Sequence, residues 1–121
     1  MKDCLFCKIV AGEIPSAKVY EDENVLAFKD INPAAPVHVL VIPKHHIDGA
    51  DALDNSHATL IADLILTVGK IAKELSLTDG WRIVTNVLDH GGQTVRHLHF
   101  HLLGGAALGD FGQRHGKAGT L

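Results

Sequence analysis

The chain has 121 residues, enough for one domain with a sizeable core and too few for two. Apolar residues make up 46% and charged residues 21%, which excludes a disordered chain, a collagen-like repeat and a low-complexity segment. Eleven Lys and Arg against fourteen Asp and Glu leave a formal charge of −3, so no nucleic-acid or anionic-membrane partner is expected through bulk positive charge.

The first ten residues carry an acid at Asp3, a Lys inside the apolar stretch and no small-residue cleavage site, and do not read as a secretory signal. No apolar run reaches the roughly 18 residues of a membrane span, so a soluble, cytoplasmic protein is expected. In that compartment Cys4 and Cys7 are not expected to form a structural disulfide. Their Cys-x-x-Cys spacing leaves a redox pair, half of a zinc site, or two small buried hydrophobes. The redox reading has least support, because no strand precedes the pair as a thioredoxin-like unit requires.

Residues 4–11 are predicted as a short helix, ended by Gly12 and Pro15. Strands are predicted over 17–20 and 25–29, around a polar turn at 21–24. Pro33 and Pro36 bracket a loop, and 37–42 is a β-branched run stopped by Pro43. A long helix is predicted over about 56–75 with Ser56 as its N-cap. Its apolar stripe comprises Leu60, Ile61, Leu64, Ile65, Val68, Ile71, Ala72 and Leu75. Thr78-Asp79-Gly80 turns the chain into a strand over 81–86, residues 89–92 form a loop, and 97–103 is the last strand. The final 18 residues hold six of the twelve Gly and predict an extended or mobile tail. Strands outnumber helices, and most connections are shorter than the dozen or more residues that parallel pairing needs. The predicted class is α+β with a mainly antiparallel sheet.

Nine His in so short a chain are the compositional anomaly, and three of them lie in the last strand. In His97-Leu98-His99-Phe100-His101-Leu102-Leu103, a period of two puts His97, His99 and His101 on one face and Leu98, Phe100 and Leu102 on the other. Successive imidazoles should then stand roughly 6–7 Å apart. Such a face could be a solvated or backbone-satisfied row, a metal site, or a nucleophilic centre at a phosphate. Imidazole has a reference pKa of about 6.5, so a neutral nucleophile and a protonated acid can coexist near pH 7. Gly91-Gly92-Gln93-Thr94, just ahead, favours the phosphate reading, since glycines let backbone N–H groups approach an anion and the two side chains add donors. No Gly-x-x-x-x-Gly-Lys-Ser/Thr loop offers an alternative phosphate cradle.

The segment 97–103 matches the His-apolar-His-apolar-His-apolar-apolar signature of the histidine-triad (HIT) nucleotide-binding family, which the chain resembles from Cys4-Leu5-Phe6-Cys7 through Glu13-Ile14-Pro15 to Gly105. Asp30-Ile31-Asn32-Pro33-Ala34-Ala35-Pro36-Val37-His38, Val41-Ile42-Pro43-Lys44 and Gly91-Gly92-Gln93 are similar to the Hint branch, the purine nucleoside phosphoramidases. His rather than Gln at position 101 separates the chain from the uridylyltransferase branch.

The resemblance implies a HIT-like fold over 1–105, with five antiparallel strands, one long and one short helix, and a Gly-rich C-terminal tail over 106–121. It implies a homodimer joined through the long helix and a continuous sheet. The strand at 81–86, with no device blocking its edge, is compatible with that. The implied activity is hydrolysis of the P–N bond of purine nucleoside phosphoramidates of the AMP type through a nucleotidyl-histidine. The alternatives are dinucleoside polyphosphate hydrolysis, or a nucleotide-binding scaffold with vestigial hydrolysis.

By position, the resemblance makes His99 the nucleophile, and has His101 contact the phosphate and help protonate the leaving amine. His97 and His38 would orient the cluster. Asp30 would accept from the ribose hydroxyls, and Phe6, Ile9, Ile14, Phe28 and Ile31 would form the base pocket. Asn86, Gly92, Gln93 and Thr94 would hold the phosphate. Taken singly, Phe28 and Ile31 read as core residues and Asp30 as part of a solvated turn. Catalysis would need no cofactor. Some relatives with this Cys pair bind zinc, which here implies Cys4, Cys7, His46 and His97 as a structural site whose four ligands leave no position for water. His45, His57, His90 and His115 are expected in solvent or capping roles. The sequence departs from the family pattern in two places. Thr94 stands where Ser is common, and the Trp-Pro-Pro tail of many relatives is replaced by Ala106-Ala107-Leu108-Gly109-Asp110-Phe111-Gly112. Preference for the leaving group is therefore the least transferable expectation.

Overall fold

The structure is a computed structural model and describes residues 3–110. Helix α1 (Leu5–Val10) precedes strands β1 (Lys18–Glu21), β2 (Val25–Lys29) and β3 (Val37–Pro43). Two short 3-10 turns, Ala50–Ala52 and Asn55–His57, lead into helix α2 (Ala58–Glu74), followed by β4 (Trp81–Val84) and β5 (Phe100–Gly104). The strands form one five-stranded antiparallel sheet in the order β1-β2-β3-β5-β4, so the last strand is inserted between β3 and β4. This is the α+β architecture expected from the sequence. Among the described residues, no helix is long and apolar enough to cross a membrane.

Alternation along the central strands divides the core in two. Val25, Ala27, Val39, Val41, Phe100 and Leu102 point to one face, where Leu64, Val68, Ile71 and Ala72 of α2 cover them. Leu26, Phe28, Leu40 and Ile42 point to the other, where Phe6 and Ile9 of α1 pack. Both faces of β2 and β3 are therefore buried, which is why those strands read as continuous apolar runs. The His face of the last strand lies on the α1 side.

Three predicted boundaries move by more than one residue. The last strand begins at Phe100, leaving His97, Leu98 and His99 outside the ladder. Extending the β3–β5 register, in which Val41 faces Phe100, sets Leu98 opposite Pro43, which has no N–H to donate. Leu98 instead donates its N–H to the Ile47 carbonyl at 2.6 Å. The strand predicted over 81–86 stops at Val84, and the Thr85 hydroxyl donates to the His99 carbonyl at 2.8 Å. The long helix starts with a 3-10 turn capped by Asp54, whose carboxylate accepts from the Ser56 N–H; Ser56 is inside that turn and is not the cap. Its stripe is also narrower than predicted. Ile65 and Leu75 are 42% and 40% exposed, and Leu66, outside the stripe, is 70% exposed. Of the expected tail, residues 106–110 are described, with Arg82 donating to the carbonyls of Gly109 at 2.6 Å and Asp110 at 3.3 Å. The remainder, with His115, lies outside the described residues.

Candidate active site

The structure keeps His97, His99 and His101 on the α1 side of the sheet although only His101 belongs to β5. Leu98, Phe100 and Leu102 pack toward α2. Rings of His99 and His101 lie 5.0 Å apart between centroids, closer than strand rise alone suggests. Phe6 of α1 stands edge-on to His99 at 5.0 Å and to His97 at 5.8 Å. His38 of β3 is diagonal to His101, since Leu40 is the residue directly opposite it, and a long side chain reaches across such a diagonal.

The backbone dictates which ring nitrogens carry protons. His99 Nδ1 sits 2.7 Å from the His97 carbonyl, which can only accept, so Nδ1 bears the hydrogen and Nε2 keeps a free lone pair. His38 Nδ1 accepts the Ala34 N–H at 3.0 Å, so the neutral ring carries its hydrogen on Nε2 and donates it to His101 Nδ1 at 2.8 Å. His101 is then protonated at Nε2, a buried atom with no partner among the described residues. A lone pair on His99 and an N–H on His101 thus stand side by side.

Burial keeps these rings neutral. It lowers His101 to about 4, helped by His99 and His38, and it lowers His99 and His38 below the ordinary imidazole value. The Asp30 carboxylate, 3.5 Å from His38 Nε2, opposes the shift at His38 without overcoming it.

His99 and His101 line a cleft of about 310 Å³, within the size range of small-molecule sites. Phe6, Ile9, Ile14 and Phe28 line its apolar part, and Asp30, Ile31 and Thr94 also contribute. Ile31 does so while 92% exposed, so it is a rim residue. Leu40, Ser16 and Val95 also line the cleft and are not among the site residues expected from the sequence. For Leu40 the signal was available, because it lies two residues from His38 on the same strand face.

Asn86, Gly92 and Gln93 do not line this cleft. The Gln93 amide is fully engaged within its own region: Nε2 donates to the carbonyls of Asp48 and Val95, and Oε1 accepts from the Leu88 N–H and from Arg96 Nη1. Arg96 in turn makes a bidentate pair with Asp51, at 2.9 and 2.7 Å. The loop ahead of His97 is thereby clamped to residues 48–51. Gly91 is required sterically, since a Cβ there would lie 2.3 Å from the Val87 carbonyl oxygen.

A second constellation adjoins the first. Cys4 Sγ is 3.3 Å from His97 Nδ1, and Cys7 Sγ is 3.3 Å from His46 Nδ1 and 3.6 Å from His97 Nδ1. His97 donates its Nε2–H to the Pro43 carbonyl at 2.8 Å, and His46 donates its own to Asp48 at 2.8 Å. Both Nδ1 lone pairs therefore turn inward toward the two sulfurs, all four atoms lying within 4.8 Å of one another. Tetrahedral zinc, with bonds of about 2.3 Å to sulfur and 2.0–2.1 Å to nitrogen, sets neighbouring donors roughly 3.3–3.8 Å apart. The donor set and its outer hydrogen bonds suit a closed Cys2His2 metal centre. Burial lowers His97 to about 4, keeping it in the neutral form a ligand requires. Burial and the neighbouring Cys4 raise the Cys7 thiol. His45 and His90 are exposed, and His57 accepts the Asp54 N–H at the start of α2.

The family model for the HIT domain matches residues 11–108. Protein HitA of Neisseria gonorrhoeae is 49% identical over 104 residues, covering 86% of this chain and 97% of that protein. A 14 kDa zinc-binding protein of Zea mays is 47% identical over 106 residues, covering 86% and 83%. The solved structure of a HIT family hydrolase from Clostridium thermocellum superposes with a TM-score of 0.88 at 49% identity, covering 91% of this chain and 96% of that one. Matched in family pattern, sequence and fold over most of its length, the chain belongs to the HIT domain family.

Proposed function

We propose that this protein is a nucleotide-binding hydrolase that cleaves the P–N bond of purine nucleoside phosphoramidates. The observation that carries the reading is the free Nε2 lone pair of His99 beside the Nε2–H of His101, unpartnered among the described residues, in an apolar cleft that Asp30 also lines. His99 Nε2 attacks the phosphorus while the neutral His101 donates its Nε2–H as a hydrogen bond to the phosphoryl oxygen; the P–N bond breaks and the leaving nitrogen takes its proton from solvent. His38 holds His101 in the tautomer that can donate that hydrogen bond. Water then attacks the phosphorus and breaks its bond to His99, the proton it sheds passes to solvent, and the nucleoside monophosphate leaves with neutral His99 regenerated. The apolar walls receive the base and Asp30 the ribose hydroxyls. Thr94 contributes a hydroxyl toward the phosphate, while Gly92, Gln93 and Asn86 act by shaping the surrounding loop.

In the same reading Cys4, Cys7, His46 and His97 hold a structural zinc ion, in keeping with the zinc-binding relative from Zea mays, and catalysis itself uses no metal. The active form is a cytoplasmic homodimer of residues 1–105, assembled through the exposed apolar residues of α2 and β4, with 106–121 as an appended tail. The test is His99→Ala. The variant should bind AMP with wild-type affinity and lose at least 1,000-fold in turnover of an adenosine phosphoramidate; near-wild-type hydrolysis would remove His99 from the reaction. With the wild type, kcat/KM should favour P–N substrates over dinucleoside polyphosphates, and the opposite order would select the alternative hydrolase activity.

A further inference from the structure

We propose that Ser16 is a second ribose contact, acting with Asp30 on the vicinal diol and selecting ribonucleotides over deoxyribonucleotides. The inference deepens the nucleotide reading above and rests on it. Ser16 precedes β1 and lines the same cleft as His99 and His101. Its Oγ is buried and has no hydrogen-bond partner among the described residues. A hydroxyl withdrawn from water without a partner is costly, so one at a cleft wall is satisfied when a ligand brings a polar group to it.

The pairing of β1 with β2 says which ligand group that is. Lys18 faces Phe28, and Lys29 donates its N–H to the Ala17 carbonyl at 3.0 Å. Continued by one residue, this register sets Ser16 opposite Asp30, and directly opposed residues on an antiparallel pair turn their side chains to the same face. Asp30 keeps acceptor capacity for a ligand: one oxygen accepts the Asn32 N–H at 2.8 Å, and the other lies 3.5 Å from His38 Nε2. A carboxylate only accepts, whereas a serine hydroxyl both accepts and donates. Together they match two neighbouring hydroxyls, one donating to Asp30 and the other exchanging a hydrogen bond with Ser16. The phosphate is met by the imidazoles, and the base by Phe6, Ile9 and Phe28, which offer it no side-chain hydrogen bond.

The experiment measures kcat and KM for adenosine phosphoramidate and its 2′-deoxy and 3′-deoxy analogues with wild type, Ser16→Ala and Ser16→Cys. Thermal melting serves as the check on folding, and the near-isosteric Cys variant guards against a packing effect of Ala. Wild type should prefer the ribo substrate at least tenfold over one or both deoxy analogues. Both variants should narrow that preference at least fivefold by raising KM for the ribo substrate, with kcat within twofold. An equal loss on all three sugars, or unchanged sugar ratios with an altered adenine-to-guanine ratio, overturns the assignment. Wild type that neither binds AMP nor turns over any of the three removes the nucleotide reading and this one with it, an outcome distinct from failure of the Ser16 contact alone.

Discussion

At the scale of single residues, the chemistry depends on protons held by backbone groups. The His97 carbonyl fixes the tautomer of His99, and the Ala34 N–H, through His38, fixes that of His101. Burial holds His101 near 4 and lowers His99 and His38, so the neutral forms persist well below the usual imidazole midpoint of about 6.5. The acid limb of the kcat/KM profile for a phosphoramidate should therefore lie below the usual imidazole midpoint of about 6.5. An acid limb centred at or above 6.5 would contradict the neutral cluster. Stability has the same sign. A His101 whose folded pKa lies below its unfolded value binds its proton more readily when unfolded, so its contribution is complete above about 6.5 and is lost as pH falls toward 4. The alternation of His and apolar residues was enough to group these side chains on one face. It could not say which nitrogen of each ring was free, because the deciding partners are main-chain groups set by loops.

At the scale of elements, α1 is attached by its cysteines. Cys4 and Cys7 reach His46 and His97, from the segments after β3 and before β5, and the same helix presses Phe6 against His99 and Phe28. Zinc at this cluster would tie three segments of the chain together. The purified protein should contain about one zinc per chain, and Cys7→Ser should abolish that content. Chelation should lower Tm and raise the hydrogen-exchange rate of α1, with β2 and β3 unaffected; unchanged melting after verified metal removal would deny the ion a structural part. The spacing of the two Cys was legible in the sequence, as was the likeness to zinc-binding relatives. The convergence with residues some 40 and 90 positions away, and the inward turn of both Nδ1 atoms, were not. Gln93 shows the reverse case. Its place beside two glycines pointed to phosphate, but in three dimensions its amide is consumed by the Asp48, Leu88, Val95 and Arg96 contacts.

At the scale of the whole molecule, two apolar layers sandwich the sheet, yet Leu66 of α2 and Trp81 and Ile83 of β4 remain exposed, at 70%, 42% and 36%. Among the described residues, edge strand β4 pairs with β5 alone. A homodimer covering these residues should dissociate in Leu66→Glu, read as a halved mass in sedimentation, and a wild type that sediments as a monomer at all concentrations would exclude it. The amino-acid sequence by itself determined the α+β class, both faces of the last strand and the family likeness, because period-two alternation and residue spacing are local properties that survive any packing consistent with them. Tertiary structure alone decided where that strand begins, which imidazole nitrogens are free, and that Ser16 shares a cleft with His99. Those outcomes depend on Pro43 being brought opposite Leu98, on His38 reaching His101, on the Pro43 carbonyl reaching His97 and on strand register, each of which exists only once distant parts of the chain have met; the His97 carbonyl that fixes His99 is the one local contribution.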